Sequence, residues 1–229
     1  MVEIFDITDS AALLSGSRKA RLAISQGSLI VLPTDTVYGV AADAFKADAV
    51  AALLEAKGRG RQSPPPVLVA DINAIAALAA YVPESIYRLA EQFWPGPLTI
   101  VLAAQPSLDW DLGDTGGTVA LRIPDHEVTL EILRETGPLA VSSANITGEP
   151  AARNAAEAQE MLGEAVEVII DAGESAGGIA STIIDATKVT DDGGVLRILR
   201  QGPITIEDLA EVCPELTIAL TPKKDEKRD

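Results

Sequence analysis

The chain is poor in the side chains that enzymes most often use for acid–base chemistry and for metal binding. It has one cysteine, Cys213, and one histidine, His126. An intrachain disulfide, a multi-cysteine metal site and a His–His zinc site are therefore excluded. A Ser–His–Asp triad is not credible either, because His126 lies in a Pro–Asp–His–Glu segment typical of a helix start. Aromatic residues make up 3% of the chain, so its core must consist mainly of Ala, Val, Leu and Ile.

Basic residues are also scarce. The chain has 18 Lys and Arg against 34 Asp and Glu, a formal net charge of −16. This argues against broad nucleic-acid binding, which needs a positive surface, but it leaves room for a local basic pocket. No apolar stretch approaches the roughly 20 residues that span a bilayer, and the N-terminus has no basic region typical of a signal peptide. We therefore expect a cytoplasmic protein without membrane contact.

Helix and strand patterns are interspersed along the 229 residues without strict alternation, which predicts one α/β domain with a sheet of mixed direction. We assign the domain to residues 1–215 and a charged, flexible tail to 216–229. Residues 10–26 read as an amphipathic helix with four apolar positions, Leu13, Leu14, Leu22 and Ile24. Further helices are predicted at 48–57 with Asp48 as cap, after Asp71, and at 83–93, 127–134, 154–162 and 205–213. Strands are predicted at 28–32, 67–70, 98–103, 118–123, 139–141, 166–170, 182–184 and 195–199.

The most informative segment is residues 29–39. Four apolar residues end at Pro33 and are followed at once by Thr34, Asp35 and Thr36. Inside a strand each of these polar groups would need a buried hydrogen-bond partner. At the carboxyl end of a strand the same groups can face a ligand. The segment therefore predicts a buried strand that stops at the rim of a site.

A cationic cluster follows the predicted helix at 48–57. Lys57, Arg59 and Arg61 alternate with Gly58 and Gly60. Cations and a glycine suit the carboxyl end of any helix, but one glycine is enough for a cap. The second glycine favours a loop whose backbone approaches a phosphate while Lys57 and Arg59 neutralise its charge. The Walker pattern Gly-x-x-x-x-Gly-Lys-Ser/Thr is absent.

Two further segments repeat the pattern of polar groups at strand ends. Ser143 and Asn145 follow the predicted strand at 139–141, and we expect them beside Thr36. Arg122 interrupts an apolar strand, where a buried guanidinium is costly unless it is paired. It either bridges to a carboxylate of the protein or contacts an anionic ligand.

Other polar features of the sequence suggest no site. Asp109, Asp111 and Asp114 read as an ordinary solvated loop, and Cys213 reads as a small apolar group in the last helix.

Taken in order, seven segments resemble the YrdC-like threonylcarbamoyl-AMP synthase family. They span nearly the whole chain: residues 33–39, 57–59, 93–99, 121–124, 143–148, 181–185 and 199–203. The resemblance implies one open, twisted mixed sheet flanked by helices, with a large concave cleft. It implies an enzyme, a nucleotidyltransferase that makes threonylcarbamoyl-AMP and pyrophosphate from L-threonine, bicarbonate and ATP, for threonylcarbamoyladenosine modification of tRNA.

The resemblance also assigns roles to residues and implies partners. The threonine positions are Thr36, Arg122, Ser143 and Ser181. The ATP positions are Lys57, Arg59, Ser63, Thr118, Asn145, Arg153 and Arg200, with Lys57 and Arg59 as the catalytic pair. It implies Mg²⁺ bound with ATP, no metal-ligating residue, downstream tRNA threonylcarbamoyl-transfer proteins as partners, and weak or no direct tRNA binding.

The chain departs from the family pattern at two places. Residues 60–66, Gly-Arg-Gln-Ser-Pro-Pro-Pro, replace a proline and an Asn-Pro or similar pair, and Leu68 replaces a histidine found in some members. Two alternatives stay open. The chain could be an RNA-binding module of the same fold, or a related carbamoyl- or adenylate-forming enzyme with another acceptor.

Overall fold

The computed structural model describes residues 1–221, which form seven helices and a twelve-stranded sheet. The helices are α1 (Ser10–Gln26), α2 (Ala47–Ala56), α3 (Asn73–Leu78), α4 (Glu84–Phe93), α5 (Glu127–Thr136), α6 (Ala155–Leu162) and α7 (Ile206–Val212). The strands are β1 (Glu3–Asp6), β2 (Leu29–Leu32), β3 (Gly39–Asp43), β4 (Val67–Leu68), β5 (Leu98–Ala103), β6 (Thr118–Arg122), β7 (Leu139–Ser143), β8 (Val166–Asp171), β9 (Thr182–Asp185), β10 (Val189–Thr190), β11 (Gly193–Arg200) and β12 (Thr217–Leu220).

The sheet is mixed, as the sequence predicts. Its strand order is β1-β8-β2-β3-β7-β4-β6-β5-β9-β11-β10, with β12 beside β11. The pairs β1–β8, β2–β8, β4–β6, β5–β9 and β11–β12 are parallel, and the remaining pairs are antiparallel. Because the central strands combine both directions, several strand ends and strand starts meet at one edge of the sheet.

Apolar side chains cover both faces of the central sheet. In β2 alternate residues enter two different clusters: Ile30 and Leu32 pack with the larger core, and Leu29 and Val31 with the smaller one. This explains the unbroken apolar run of β2, since a strand buried on both faces has no polar side.

Helix α1 packs against the sheet through small residues. Its buried positions are Gly16, Ala20, Ala23 and Ile24. A Cβ at Gly16 would lie 2.7 Å from Cβ of Phe5, so the helix approaches β1 more closely than a larger residue allows. Leu14 and Leu22 are 72% and 49% exposed, so their predicted place on the buried face is wrong. The prediction followed the large apolar residues, whereas the contact of α1 with the sheet is made mainly by alanine and glycine.

Some predicted elements differ from the structure. The N-cap of α2 is Lys46, and Asp48 lies inside the first turn rather than capping it. Strands β1, β3 and β10 were not predicted, and β3 begins at Gly39, at the end of the segment 29–39. Strand β12 pairs with β11, so the sheet continues into the segment predicted as a tail from residue 216, and the rest of that segment, 222–229, lies outside the described residues. Within residues 1–221 no helix is long and apolar enough to cross a membrane.

Candidate functional site

A cavity of about 390 Å³ opens where the ends of several strands meet. Seven of the residues predicted for the site line it: Thr36, Arg59, Thr118, Arg122, Ser143, Ser181 and Arg200. They come from the segment after β2, from the loop after α2, from β6, from the end of β7, from just before β9 and from the end of β11. Among the described residues the lining holds three arginines and no Asp or Glu. The cavity therefore suits small anions.

Arg122 makes the bridge to a protein carboxylate that one of its two readings expects, and it also lines the cavity. It is 7% exposed, and its Nη2 donates to Oδ1 of Asp35 at 2.5 Å. Its Nη1 donates to Oγ1 of Thr36 at 3.0 Å, and its Nε to the carbonyl oxygen of Gly96 at 3.0 Å. Burial lowers the pKa of Arg122, and the Asp35 carboxylate opposes this. The guanidinium is thus fixed by the protein at the cavity wall.

A second polar cluster joins Thr99 of β5, Ser181 just before β9 and Arg200 at the end of β11. Oγ of Ser181 lies 2.8 Å from Oγ1 of Thr99, and Nη2 of Arg200 donates to the same Ser181 oxygen at 3.1 Å. Nε of Arg200 donates to the carbonyl oxygen of Ser181 at 2.9 Å. Thr99 also lines the cavity, and sequence reasoning missed it as a site residue. The feature of the sequence that could have indicated Thr99 is its hydroxyl, the only one in the otherwise apolar strand β5.

Lys57 lies behind the cavity wall rather than on it. The residue is 0% exposed, and its Nζ donates to the carbonyl oxygens of Ser143 and Asn145 and to Oδ1 of Asn145. An ammonium has three N–H donors, so all of them are used within the protein. The direct contact of Lys57 with a phosphate stays a prediction, and in the described arrangement all three donors contact oxygens of the protein. Burial, together with the charge of Arg59, lowers the pKa of Lys57 to about 7.

Arg59 does line the cavity. Its Nε donates to Oγ1 of Thr147 at 3.0 Å and its Nη1 to Oγ of Ser142 at 3.1 Å. Gly58 has φ of 63°, the left-handed conformation in which a side chain is strained. The glycine thus turns the chain sharply at the end of α2 and brings Arg59 across to the end of β7.

Besides Lys57, three predicted ATP residues lie outside the lining: Ser63, Asn145 and Arg153. The prolines that follow Ser63 line the cavity in its place. Asn145 is 6% exposed, and its side-chain nitrogen donates to the carbonyl oxygens of Ile146 and Glu149. The Nη2 of Arg153 lies 2.9 Å from Oε1 of Glu174. The side chains of Asn145 and Arg153 therefore hold loops in place in the described arrangement.

Two minor predictions have clear outcomes. Cys213 is buried and its Sγ donates to the carbonyl oxygen of Ser85, as expected for a small core group. Asp111 and Asp114 are not simply solvated, because both pair with Arg61. Within residues 1–221 no group of three or more His, Cys, Asp or Glu could hold a metal ion.

Comparison with known proteins points to one family. The family model Sua5_yciO_yrdC, described as telomere recombination, matches residues 22–202. A protein of Mycobacterium leprae named "Putative threonylcarbamoyl-AMP synthase" is 50% identical over 212 residues, which cover 93% of this chain and 94% of that protein. The crystal structure of P. abyssi Sua5 complexed with L-threonine matches with a TM-score of 0.84 and 34% identity over 95% of this chain and 62% of that one. E. coli YciO has the same fold, with a TM-score of 0.77, 20% identity and coverage of 91% of this chain and 100% of that one.

Proposed function

The chain belongs to the Sua5/YciO/YrdC family, and from that premise we propose that it is an L-threonylcarbamoyladenylate synthase. The reaction joins L-threonine, bicarbonate and ATP into threonylcarbamoyl-AMP and pyrophosphate. One observation carries the proposal: four threonine positions and three nucleotide positions line a single cavity, and its lining, within residues 1–221, holds arginines and no carboxylate. All three substrates are anions or carry a carboxylate, so such a lining suits each of them.

The threonine is proposed to bind at Thr36, Arg122, Ser143 and Ser181. In this proposal the Arg122 guanidinium faces the carboxylate of the bound threonine. The pair with Asp35 holds the guanidinium at the cavity wall. Asp35 itself is not among the described residues that line the cavity, so it does not place a negative charge on the lining. The hydroxyls offer donors and acceptors to the amine and hydroxyl of the substrate. The P. abyssi complex with L-threonine supports this assignment by similarity.

The chemistry needs positioning and charge neutralisation more than a protein base. The neutral amine of threonine and bicarbonate give a carbamate and water. A carbamate oxygen then attacks the α-phosphorus; the new O–P bond forms as the bond to the β-phosphate oxygen breaks and pyrophosphate leaves. Arg59 and Arg200 neutralise the charge that develops on the phosphates. A chain with a single histidine can therefore catalyse this reaction.

Lys57 serves the same site indirectly in this proposal. Its ammonium fixes the backbone of Ser143 and Asn145, and so sets where the Ser143 hydroxyl enters the cavity. Arg59 is the residue of the pair that reaches the phosphates.

We propose that Mg²⁺ arrives on the phosphates of ATP as part of the substrate. The described residues that line the cavity include no carboxylate to hold the ion by themselves. The ion supplies charge neutralisation on the β- and γ-phosphates when bound. Pyrophosphate release should stop when Mg²⁺ is chelated, and calorimetry should detect no Mg²⁺ binding to the protein without ATP.

Pyrophosphate release with and without L-threonine and bicarbonate tests the function, with mass spectrometry for the adenylate. Release that requires both, with a product of the mass of threonylcarbamoyl-AMP, supports it. Release with another amino acid instead would assign a related enzyme with a different acceptor. A salt-dependent shift of tRNA without any ATP turnover would favour the RNA-binding module.

A further inference from the structure

An arginine outside the cavity joins two of the loops that form its wall. We call residues 60–66 the proline loop and residues 109–117 the acidic loop. The guanidinium of Arg61 binds Asp111 through two parallel hydrogen bonds, Nη1 to Oδ2 at 2.9 Å and Nη2 to Oδ1 at 2.8 Å. Its Nε lies 3.4 Å from Oδ1 of Asp114, and the backbone N–H of Asp114 donates to the carbonyl oxygen of Arg61 at 2.8 Å.

The contact between the two loops is close along the backbone as well. Gly113 has φ of 98°, and a Cβ at this position would lie 2.7 Å from the carbonyl oxygen of Arg61. Only glycine fits here without a shift of one loop. Asp111 also accepts from the N–H of Gly113 at 3.0 Å. The carboxylate that receives Arg61 thus also fixes the turn that meets it.

Both loops form the cavity wall, whereas Arg61 does not. Pro64, Pro65 and Pro66 line the cavity from the proline loop, and Leu112 and Thr115 line it from the acidic loop. The side chain of Arg61 is 58% exposed and points to the acidic loop. The separation of the two walls therefore depends on a contact made on their outer side.

The residues next to these two loops indicate which substrate a change in the loops would affect. Arg59, two residues before Arg61, and Thr118, the first residue of β6 directly after the acidic loop, both line the cavity and both match nucleotide positions. The threonine positions lie instead on the segment after β2, on β6 and β7, and next to β9. A change in the gap between the loops should therefore affect ATP before threonine.

We propose that Arg61 is a positioning residue that clasps the proline loop to the acidic loop and so shapes the nucleotide half of the cavity. The proposal rests on the function proposed above. An exposed ion pair alone contributes little, but the two parallel bonds give this one a defined geometry. Arg61 belongs to residues 60–66, the same segment in which the chain departs from the pattern of its family.

Three variants test the clasp in steady-state pyrophosphate release. Arg61→Ala removes the guanidinium, and the double variant D111N/D114N removes both charges while it keeps an oxygen for the N–H of Gly113. We expect each to raise KM for ATP about three- to tenfold, with kcat and KM for threonine within about twofold. Lys19→Ala is the matched control, since Lys19 also bridges two carboxylates, Glu3 and Glu167, but away from the cavity.

The acidic variant separates the clasp from a direct role of Arg61 at the phosphates. If Arg61 contacted ATP itself, removing the two acids would free its charge and lower KM for ATP, which would overturn the proposal. Combining Arg61→Ala with D111N/D114N should add less than about twofold, because both changes break the same contact. Full additivity would also overturn it.

Hydrogen exchange provides a readout that does not depend on activity. Amides of the acidic loop should exchange faster in Arg61→Ala than in wild type, and those of β2 should not change. If wild type releases no pyrophosphate but this exchange difference is present, the proposed function fails and the clasp stands as a structural contact. Unchanged exchange together with unchanged KM for ATP rejects the clasp.

Discussion

Lys57 and Asn145 are joined twice: Nζ of the lysine donates to the backbone carbonyl oxygen of Asn145 at 2.7 Å and to its side-chain oxygen at 3.2 Å. The backbone N–H of Thr147 returns a bond to the carbonyl oxygen of Lys57 at 3.0 Å. The end of α2 and the loop after β7 therefore behave as one unit. Arg59 and Ser143 are carried by the two halves of that unit.

Replacing Lys57 by methionine should destabilise the fold. The side chain keeps its length but leaves three oxygens facing an apolar group. We expect the free energy of unfolding to fall by about 1–3 kcal/mol, the usual cost of a buried polar group that loses its partner. Urea denaturation measures the change. Lys46→Met is the control, because among residues 1–221 the Lys46 ammonium donates to one oxygen, the carbonyl oxygen of Ser25, and the change should alter stability by less than about 0.5 kcal/mol. Equal effects of the two changes would contradict a stabilising role for the hydrogen bonds from Lys57 to Ser143 and Asn145.

The stability contributed by Lys57 should depend on pH. In the folded chain its pKa is lowered to about 7 from the ordinary value of 10.5, so between these values the unfolded chain binds more protons. The free energy of unfolding therefore rises with pH across this window. The cost of burying the charged ammonium of Lys57 is fully present below pH 7. Because three oxygens favour the ammonium, the slope should stay below about 1.4 kcal/mol per pH unit. Denaturation of wild type and Lys57→Met at pH 7, 8 and 9 should show a widening difference, and a constant difference would rule out the shift.

Arg59→Ala should impair the reaction without unfolding the protein. Its guanidinium lines the cavity, and a hydrogen bond from a charged donor contributes about 1.5–3 kcal/mol. We expect kcat/KM for ATP to fall about 10- to 100-fold, measured by pyrophosphate release. Arg197→Ala is the control, because Arg197 is an exposed residue of β11 outside the lining. Wild-type turnover in Arg59→Ala would remove Arg59 from the phosphate role.

Arg122→Lys should weaken the binding of threonine more than that of ATP. The lysine keeps the charge beside Asp35 but cannot reproduce the three directed bonds to Asp35, Thr36 and Gly96. We expect a rise of about tenfold in the Kd for threonine and less than about threefold for a non-hydrolysable ATP analogue. Calorimetry with each ligand measures both. The opposite order would reject the assignment of Arg122 to threonine.

Local sequence patterns predict much of the fold and much of the cavity. Thr36 and Ser143 are predicted from hydroxyls beside apolar strands, which are visible in a single segment, whereas Ser181 is implied by the resemblance to the family. The mixed sheet followed from interspersed helix and strand patterns. Strands β1, β3, β10 and β12 were missed because each is short and has a composition that also occurs in loops.

The remaining errors concern contacts between distant segments. Charge and glycine spacing place Lys57 in a functional loop, but its burial depends on Ser143 and Asn145, 86 and 88 residues further along the chain. The pairing of Arg61 with Asp111 spans 50 residues. A local pattern records which groups are present, whereas tertiary packing decides whether a cation faces a substrate or a carbonyl group.

The distribution of charge has a consequence for the fate of the product. The chain carries 34 acidic residues, and none of those described lines the cavity, so the positive interior is enclosed by a negative exterior. A single small anion can enter through the opening, whereas a tRNA, with one phosphate per nucleotide, would have to lie along the repelling outer surface. We therefore expect the adenylate to travel to the tRNA rather than the tRNA to come to the cavity. The lifetime of this mixed anhydride in water would then limit how far the next enzyme can be.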